Sequence, residues 1–371
     1  MTTDIAYMAR AIQLARGGYF TARPNPIVGC VIVKDHRIIG EGFHRKAGEP
    51  HAEIHALNAA ANNAKGSTVY VTLEPCSHTG RTPPCANALI EAGVKRVVAA
   101  MTDPNPEVAG EGLDRLRAAG IEVTEGVLQS EAMQLNPGFI KRMQHGLPYV
   151  RVKLAMSLDG RTAMASGESK WITGEHARVD VHRLRAASGV MMTGSGTILA
   201  DNPSLTYRLQ DHEQFRQQIP ADAEQPLRVI CDSRLLTPTT AKILQRPGNT
   251  LIATLQMDER AEALQQAGAE VIQIKQDNGK LSLQDLLANL AERGINEVMV
   301  EAGAGLAGAL LNAKLVDEFI IYMAPHLMGD SARGLMQLPG LDAMADRVVV
   351  KIKDIRAIGD DWKITAIPIY S

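Results

Sequence analysis

Three residues with zinc-binding side chains occur in the first quarter of the chain: His51, Cys76 and Cys85. One imidazole and two thiolates suit zinc, and three protein ligands leave the fourth tetrahedral position open for water, as in catalytic sites. Zinc lowers the pKa of a bound water to about 7, which makes a hydroxide nucleophile available at neutral pH. Glu53 lies two residues beyond His51. We therefore expect its carboxylate to transfer protons beside that water without binding the metal.

Two less specific interpretations of these residues remain open. A structural zinc site would need a fourth protein ligand, for which three further histidines are available: His44, His55 and His78. Cys76 and Cys85 could also be ordinary buried thiols without a metal. Neither interpretation gives a role to Glu53 or to the run Thr82-Pro83-Pro84-Cys85, so the pattern favours a catalytic zinc site.

Length and composition limit the kind of protein. The chain has 371 residues, which exceeds the usual size of one hydrophobic core, so we expect two domains, 1–146 and 147–371. Its net charge is −2 and aromatic residues make up 4%. Deaminases that act on nucleic acids need basic surfaces and aromatic side chains on which bases stack, so this composition does not indicate such an enzyme. No secretory leader and no apolar run of membrane-spanning length is visible. A cytoplasmic enzyme acting on a small molecule, with no nucleic-acid or membrane partner, is the prediction.

Strand-forming and helix-forming segments alternate in the first domain. A first helix capped by Thr3 or Asp4 has an apolar stripe of Ile5, Met8, Ala9, Ile12 and Ala15. Further strands are predicted at 27–33, 37–43 and 68–73, and further helices at 51–64 and 84–92. The zinc ligands then come from two helix starts and the end of a strand. This pattern predicts an α/β fold with helices covering a sheet.

The motif around the ligands resembles a known enzyme family. His-x-Glu followed by Pro-Cys and a second cysteine is the signature of zinc-dependent nucleobase deaminases. Most of these have C-x-x-C, whereas eight residues separate Cys76 from Cys85 here. The longer motif, P-C-x-H-x-G-x-T-P-P-C from Pro75, resembles the deaminase of riboflavin biosynthesis. The resemblance implies a three-layer, cytidine-deaminase-like domain with four substrate contacts: Asn25, His44, His78 and Arg81. An amide can read a pyrimidine edge and an arginine can bind a ribose phosphate, although a loop-capping asparagine and solvated surface side chains are the alternatives.

The alternation restarts at Tyr149 and defines the second domain. Two glycine turns, at 194–197 and 303–306, each lead from a predicted strand into a helix. Such turns let backbone amides approach a phosphate at a helix N-terminus. Neither turn is a G-x-G-x-x-G dinucleotide fingerprint, so taken alone these turns are weak evidence for a cofactor site.

As a set, the motifs of the second domain resemble the riboflavin-pathway reductase, so the whole chain resembles the bifunctional deaminase/reductase family. The resemblance implies a dihydrofolate-reductase-like fold that uses NADPH. It implies cofactor contacts at Ala155, Trp171, Thr197, Asp201, Ser233, Gly303, Ala304, Gly305 and Leu306. It implies substrate contacts at Ser169, Arg185, Leu205, Arg208 and Glu301. Arginine forks suit a phosphate dianion, but Arg185 could also be a surface residue, Trp171 a core residue and Glu301 a helix cap.

The chain departs from this family at two places. Ser188-Gly189 stands where an acidic residue and an alanine are usual, and Glu301-Ala302-Gly303 replaces Glu-Gly-Gly. The first departure puts local packing in question rather than chemistry. The 316–325 segment is apolar enough to contribute to a subunit interface, and we expect a homo-oligomer, with a dimer favoured.

The resemblance implies two consecutive reactions: zinc-dependent deamination of a pyrimidine ribosyl phosphate, and NADPH-dependent reduction of its ribosyl group. For the second reaction Asp201, Glu301 or water could donate the proton. A deaminase whose second half only binds a nucleotide, a nucleic-acid-editing deaminase and a zinc-stabilised binding protein without turnover remain as alternative hypotheses.

Overall fold

The computed structural model describes residues 2–77, 84–106, 108–208, 219–221, 223–246 and 248–370. The chain divides into two compact units, Met1–Leu147 and Pro148–Ser371. Within the described residues, no helix combines the length and apolar character that a membrane span requires.

The first unit contains one mixed sheet and helices on both sides of it. Its elements are α1 (Thr2–Ala15), β1 (Gly29–Lys34), β2 (Arg37–Phe43), α2 (Ala52–Ala60), β3 (Thr68–Val71), α3 (Cys85–Glu91), β4 (Arg96–Ala99), α4 (Glu111–Ala118), β5 (Glu122–Glu125), α5 (Gln129–Met133) and α6 (Pro137–His145). The strand order is β2-β1-β3-β4-β5. β1 runs antiparallel to β2 and β3, whereas β3, β4 and β5 are parallel.

Alternating strand residues separate two cores in this unit. Cys30 and Ile32 of β1 pack with α2, α3 and α4 on one face of the sheet. Val31 and Val33 pack with α1, α5 and α6 on the other face. Successive side chains of a strand point to opposite faces, so a continuous apolar run fills both cores. This is the three-layer arrangement that was predicted.

The start of the first helix differs from the prediction. Ile5 is 47% exposed, and Ala11 takes its place on the buried face of α1. Asp4 does not cap the helix but lies in its first turn, where its carboxylate accepts hydrogen bonds from Tyr70 and Arg96. Asp4, which the sequence suggested as a helix cap, therefore forms an ion pair with Arg96 instead.

In the described part of the second unit, nine strands form one sheet. The elements of this unit are β6 (Tyr149–Ser157), β7 (Arg161–Ala163), α7 (Glu175–Ala187), β8 (Val190–Gly194), α8 (Ser195–Asp201), β9 (Leu227–Cys231), β10 (Thr250–Thr254), α9 (Glu259–Gln266), β11 (Ala269–Gln273), β12 (Gln276–Asp277), β13 (Lys280–Leu281), α10 (Leu283–Glu292), β14 (Glu297–Glu301), α11 (Ala304–Asn312), β15 (Glu318–Ala324), β16 (Arg333–Gly334), β17 (Val349–Ile358) and β18 (Asp361–Ile369). The sheet order is β11-β10-β9-β8-β14-β6-β15-β18-β17. All pairs from β11 to β15 are parallel, and β18 and β17 add an antiparallel hairpin.

The unusual junction after α7 is well packed. Ser188 is 2% exposed, and its hydroxyl donates to the Leu184 carbonyl oxygen over 2.8 Å. The Gly189 carbonyl oxygen accepts from the Leu227 N–H of β9. The departure from the family pattern at this position is therefore accommodated by hydrogen bonds of the Ser188 hydroxyl and the Gly189 carbonyl oxygen.

A buried ion pair connects α7 to the hairpin side of the sheet. The Lys363 ammonium donates to the Asp180 carboxylate over 2.6 Å, and the Tyr322 hydroxyl donates to the same oxygen over 2.6 Å. Burial alone would raise the pKa of Asp180, but attraction to Lys363 and these hydrogen bonds hold the pKa below its usual value. Both side chains are therefore charged, and each depends on the other for compensation of its lost hydration.

We predict that Lys363→Met lowers the free energy of unfolding of the second unit by about 3–5 kcal/mol, because it leaves Asp180 buried without its cation. The double variant with Asp180→Asn should lose less than the sum of the two single changes. Urea unfolding followed by tryptophan fluorescence measures this unit alone, since both tryptophans, Trp171 and Trp362, belong to it. Lys280→Met, which changes an exposed lysine, is the matched control, and an equally small loss in both lysine variants contradicts the prediction.

Candidate active site

The three predicted zinc ligands converge in the first unit. His51 is the N-cap residue of α2, Cys85 is the first residue of α3, and Cys76 follows β3. The Nδ1 atom of His51 lies 3.6 Å from the Sγ atom of Cys76 and 3.3 Å from that of Cys85, and all three atoms lie within 4.8 Å of one another. Ligand atoms at ordinary zinc distances around a tetrahedral ion are about 3.5 Å apart. These residues therefore fit a zinc ion.

Hydrogen bonds in this cluster favour the thiolate form of Cys76. The Cys85 thiol and His51 both interact with its sulfur and lower the pKa of Cys76 to about 4. The Cys85 backbone N–H also donates to that sulfur, over 3.2 Å. The hydrogen bond to Cys76 and burial raise the pKa of Cys85. A bound cation would favour the thiolate form of both residues, so the pair is suited to a metal ion.

Glu53 lies in the first turn of α2 and is 3% exposed. Burial raises the pKa of its carboxyl group to about 7, although the neighbouring His51 opposes this shift. A bound cation would favour the carboxylate form and lower this value. A carboxyl group whose pKa lies near neutrality can both accept and return a proton, which is the role that the sequence predicts.

The cluster opens into a cavity of 390 Å³, within the range of about 300–1,000 Å³ that is typical of ligand sites. Five predicted site residues line it: Asn25, His44, His51, Glu53 and Cys76. The predicted contacts His78 and Arg81 lie outside the described residues, so their roles stay predictions.

His44 orients the amide of Asn25. Its Nδ1 atom lies 3.3 Å from the Pro50 carbonyl oxygen and must donate to it, which leaves Nε2 to accept from the Asn25 amide over 3.1 Å. Burial lowers the pKa of His44, so the ring is held neutral. One amide hydrogen of Asn25 is thereby committed, and its orientation in the cavity is fixed.

Other residues, which the sequence did not predict as site residues, also line the cavity. Asp103, Asn105 and Val108 line it from the segment after β4, and Phe139, Arg142 and Met143 line it from α6. The sequence could have indicated the first group, because polar residues that follow a buried parallel strand lie where α/β proteins bind ligands. Nothing in the sequence indicated the second group, since its helix α6 is distant in sequence from the zinc motif.

Glu74 holds the segment after β4 against the zinc-ligand segment. Its carboxylate is 4% exposed and accepts from four backbone N–H groups, those of Asp103, Gly110, Gly112 and Leu113. A Cβ at Gly112 would lie 1.9 Å from the Pro75 carbonyl oxygen, so only glycine allows this close approach. Glu74 therefore positions the residues that line one side of the cavity.

In the second unit, Arg185 and Glu301 form a bidentate ion pair. The Nε atom and one terminal nitrogen of Arg185 donate to the two Glu301 oxygens over 2.6 and 2.8 Å. The other terminal nitrogen donates to the Thr206 carbonyl oxygen over 3.1 Å. Burial would raise the pKa of Glu301, but the charge and hydrogen bonds of Arg185 outweigh it and lower the pKa to about 2. The two predicted substrate contacts thus lie together, and the arginine positions the glutamate.

Lys153 lies beside this pair and was missed by the sequence analysis. It is opposite Glu301 in the parallel pairing of β6 and β14, and its ammonium is 5.7 Å from the centroid of the Tyr322 ring. Burial lowers the pKa of Lys153, whereas Glu301 opposes this shift. The signal in the sequence was a lysine between the apolar residues Val152 and Leu154 in the middle of a strand.

Parallel strands bring the predicted cofactor residues to one edge of this sheet. Thr197 lies in α8 directly after β8, Ser233 follows β9, and Ala155 lies near the end of β6. Gly303 caps α11 directly after β14, and the first turn of that helix contains Ala304, Gly305 and Leu306. The carboxyl ends of parallel strands share an edge, where open α/β sheets bind ligands. Backbone N–H groups at the start of α11 are available for a phosphate.

The other predicted ligand contacts of this unit differ in how far they are exposed to solvent. Trp171 is 71% exposed, and the Arg178 guanidinium lies 4.8 Å from its ring centroid. Asp201 is exposed and pairs with Lys170 at 3.5 Å. Leu205 is 3% exposed and belongs to the hydrophobic core, so a ligand contact from it must come from its backbone.

Ser169 is half-buried and Arg208 is exposed. The backbone N–H of Arg208 donates to Nδ1 of His182 on α7 over 3.3 Å. This bond fixes Arg208 against α7, the helix that also contains Arg185.

Two family models match the chain. The cytidine and deoxycytidylate deaminase zinc-binding region matches residues 1–101, and the RibD C-terminal domain matches residues 148–364. Riboflavin biosynthesis protein RibD of Escherichia coli (strain K12) is 54% identical over 360 residues, which cover 96% of this chain and 97% of that protein. The chain belongs to the RibD family. RibD of Haemophilus influenzae is 50% identical over 368 residues, which cover 98% of this chain and 97% of that protein.

Solved RibD structures have the same fold. Acinetobacter baumannii RibD, form 1, has a TM-score of 0.91 at 47% identity, covering 100% of this chain and 99% of that one. A Thermotoga maritima diaminohydroxyphosphoribosylaminopyrimidine deaminase/5-amino-6-(5-phosphoribosylamino)uracil reductase has a TM-score of 0.84 at 34% identity, covering 99% of both chains. These matches confirm the predicted fold, with a cytidine-deaminase-like first domain and a RibD reductase second domain. This RibD-family chain is a bifunctional deaminase and reductase of riboflavin biosynthesis.

We predict that Glu74→Gln raises the KM of deamination about tenfold or more while the zinc content stays unchanged. The carboxamide places an NH₂ group against backbone N–H donors, and each lost hydrogen bond to a charged group costs about 1.5–3 kcal/mol. Steady-state ammonia release and metal analysis measure the two quantities. Glu111→Gln removes a nearby exposed carboxylate that accepts only the Ser77 hydroxyl among its described contacts and is the control. A Glu74→Gln variant with the wild-type KM contradicts the positioning role.

Proposed function

We propose that the first unit deaminates 2,5-diamino-6-(5-phosphoribosylamino)pyrimidin-4(3H)-one and that the second reduces the ribosyl group of the product to a ribityl chain with NADPH. The observation that carries this proposal is the convergence of His51, Cys76 and Cys85 beside a buried Glu53 at the base of a ligand-sized cavity. The sheet of the second unit has its own edge at the carboxyl ends of parallel strands, where α/β sheets bind cofactors. An enzyme with two reactions requires such a second site.

In the first reaction, His51, Cys76 and Cys85 would hold the Zn²⁺. When bound, Zn²⁺ supplies a water whose pKa is near neutrality. Glu53 would take one proton from that water and give it to the ring nitrogen while the water oxygen bonds to the amino-bearing carbon. It would then pass the second proton of that oxygen to the amine, so that the carbon–nitrogen bond breaks and ammonia leaves as a neutral molecule. The burial of Glu53, which is 3% exposed in the first turn of α2, supports both transfers, since it keeps the carboxyl group next to the cluster and away from bulk water.

Polar side chains around the cavity would read the pyrimidine ring. Asn25 is held by the neutral His44, and Asp103 and Asn105 line the cavity from the segment that Glu74 fixes. Together they offer amide donors, amide acceptors and a carboxylate acceptor, which suits the amino, imino and carbonyl groups of the ring edge. His78 and Arg81 stay predicted substrate contacts.

In the second reaction, NADPH supplies the hydride when bound. The edge formed by Ala155, Thr197, Ser233 and the Gly303 turn would hold the cofactor, with Trp171 and Asp201 as further predicted contacts. Ser169, Arg208 and the Leu205 backbone stay predicted substrate contacts. The substrate would lie against Glu301, which Arg185 orients.

We assign the proton donor of the reduction to Lys153. Glu301 is a poor donor, because Arg185 lowers its pKa to about 2 and keeps it ionised. Asp201 is exposed and paired with Lys170. The Lys153 ammonium has a proton to give, and burial lowers its pKa, which eases the transfer. Glu301 keeps the lysine charged before the transfer.

The partner that we propose for this chain is a second copy of it. The apolar 316–325 segment stays a predicted contributor to the interface. Its strand β15 lies inside the sheet between β6 and β18, so it could contribute through a face but not by pairing at an edge. In the pairing of β17 with β18, Val350, Ile352, Ile355 and Trp362 fall on one face, and each is 44–54% exposed. An exposed apolar face on an edge hairpin is a site for association. A cytoplasmic location and the absence of a nucleic-acid partner stay predictions from composition.

We predict that Glu53→Gln abolishes ammonia release, with a loss of at least about 10²–10⁴-fold, because the proton carrier is removed. Zinc content should stay near one ion per chain, since the three ligands are untouched. The purified protein is given the diaminopyrimidine ribosyl phosphate with NADPH, and ammonia and NADPH absorbance are measured together. The wild type should consume NADPH, and the variant should consume it only when given the deaminated intermediate. Ammonia release at the wild-type rate in Glu53→Gln contradicts the assigned role.

We predict that Ile352→Lys converts the dimer to a monomer, because the change introduces a charge into the proposed interface. Size-exclusion chromatography with light scattering measures the mass. Ile369→Lys is the matched control, since Ile369 is 53% exposed against 54% for Ile352 but lies on the opposite face of the hairpin. A wild-type monomer, or an equal effect of both substitutions, overturns this interface.

A further inference from the structure

Lys153, assigned above as the proton donor, lies on a strand whose two neighbours both present side chains to it. In the pairing of β6 with β14 it is opposite Glu301, and in the pairing of β6 with β15 it is opposite Ile320. Tyr322 lies two residues beyond Ile320 and therefore shares a face of the sheet with Lys153. Such diagonal neighbours are within reach of aromatic and long side chains. Lys153 thus has a carboxylate on one side and an aromatic ring on the other.

The ring of Tyr322 lies against the ammonium of Lys153. The Nζ atom of Lys153 is 5.7 Å from the ring centroid, within the limit of about 6 Å for a cation–π interaction. Tyr322 is 0% exposed, and this interaction is stronger where water is excluded. A lysine side chain is a flexible stem of four carbons. The ring therefore limits the positions that this ammonium can take.

Hydrogen bonds to α7 hold the ring itself in place. The Tyr322 hydroxyl donates to Asp180 over 2.6 Å, and the Lys363 ammonium donates to the same carboxylate oxygen over 2.6 Å. The Nζ atom of Lys363 also lies 5.7 Å from the ring centroid. Tyr322 belongs to the hydrophobic core of the unit, yet its hydroxyl is bonded to a charged group. The ring is thereby anchored at its hydroxyl end while its π system attracts Lys153.

Groups from three elements act on the charge of Lys153: Glu301 of β14, Arg185 of α7 and Tyr322 of β15. Burial lowers the pKa of Lys153, Glu301 opposes this shift and Arg185 adds to it. Both oxygens of Glu301 already accept from Arg185, so this carboxylate is shared between two cations. The face of an aromatic ring is negative. Tyr322 therefore adds to the attraction that Glu301 has for the ammonium.

We infer that Tyr322 is a positioning residue of the reduction, whose ring holds the Lys153 ammonium beside Glu301. This inference rests on the proposed function, which makes Lys153 the proton donor. In that step C1 of the ribosyl group accepts a hydride, its bond to the ring oxygen breaks, and that oxygen takes the proton of Lys153. The transfer requires the donor within hydrogen-bond reach of the oxygen. A displaced ammonium therefore lowers kcat of the reduction more than it changes the KM for the deaminated intermediate.

The test replaces Tyr322 with phenylalanine and with phenylalanines that have one, two or three fluorine atoms on the ring. Fluorine withdraws electron density from the ring face and changes the volume little, so the attraction for a cation weakens in steps. NMR titration of ¹³C-labelled lysine side chains, with Lys153 assigned through Lys153→Arg, measures its pKa without substrate. Tyr322→Phe should keep this pKa close to the wild-type value, and each added fluorine should lower it.

NADPH consumption on the deaminated intermediate measures the same series by activity. From phenylalanine to the trifluorinated ring, kcat should fall about tenfold, while the KM for the intermediate stays within about twofold. Lys153 must be protonated to act, so kcat declines as the pH rises through its pKa. Each added fluorine should move this decline to lower pH, because the cationic form loses part of its stabilisation.

The same substitutions at Tyr149 are the matched control, because that ring lies 5.3 Å from the guanidinium carbon of Arg151 on the same strand. They should leave the pKa of Lys153 unchanged. A ring that only fills the core would lower the free energy of unfolding in urea without moving this pKa. A constant pKa across the Tyr322 series, an equal shift in the Tyr149 series, or a shift that kcat does not follow overturns the inference. Failure of the proposed function is distinct, since the wild type would then consume no NADPH on the deaminated intermediate.

Discussion

Three ligand atoms must meet within a few ångström in the first unit, and this requirement constrains every layer around them. His51 and Cys85 begin two helices and Cys76 follows a strand, so no single element can adjust the site alone. Both helices pack into the same core against the same face of the sheet. Close-packed interiors transmit small shifts rather than absorb them. The small residues on the buried face of α2 let that helix lie close to the sheet, and the ligand distances follow from that contact.

Buried charges hold the segments around both sites, and each is compensated in a different way. Glu74 is surrounded by backbone N–H groups, and Glu301 is paired with Arg185. A charge removed from water needs such partners. Each charged side chain and its partners belong to parts of the chain that are distant in sequence. These interactions therefore fix the positions of loops that apolar packing alone would not determine.

The two glutamates nearest the chemistry illustrate how surroundings set the role of one residue type. Burial raises the pKa of Glu53 to about 7, although the neighbouring His51 opposes this shift. Glu301 is also buried, but Arg185 and Lys153 lower its pKa to about 2. The first can exchange a proton near neutral pH, whereas the second stays an anion and acts by charge and position. Pairs of carboxyl groups whose surroundings separate their pKa values commonly take such different roles.

The sequence by itself determined the family, the two-domain division of labour and most of the strands and helices. It also predicted that His51, Cys76 and Cys85 cluster beside Glu53. Those features are local: a short motif with fixed spacing, periodic apolar residues and glycine turns. It did not reveal that Glu74 holds the segment after β4, that Lys153 lies opposite Glu301, or that Arg185 and Glu301 bind each other. It also placed Ile5 and Ala9 on the buried face of α1, where both are exposed. These properties depend on which distant segments become neighbours, and only the packing of helices on the sheets decides that.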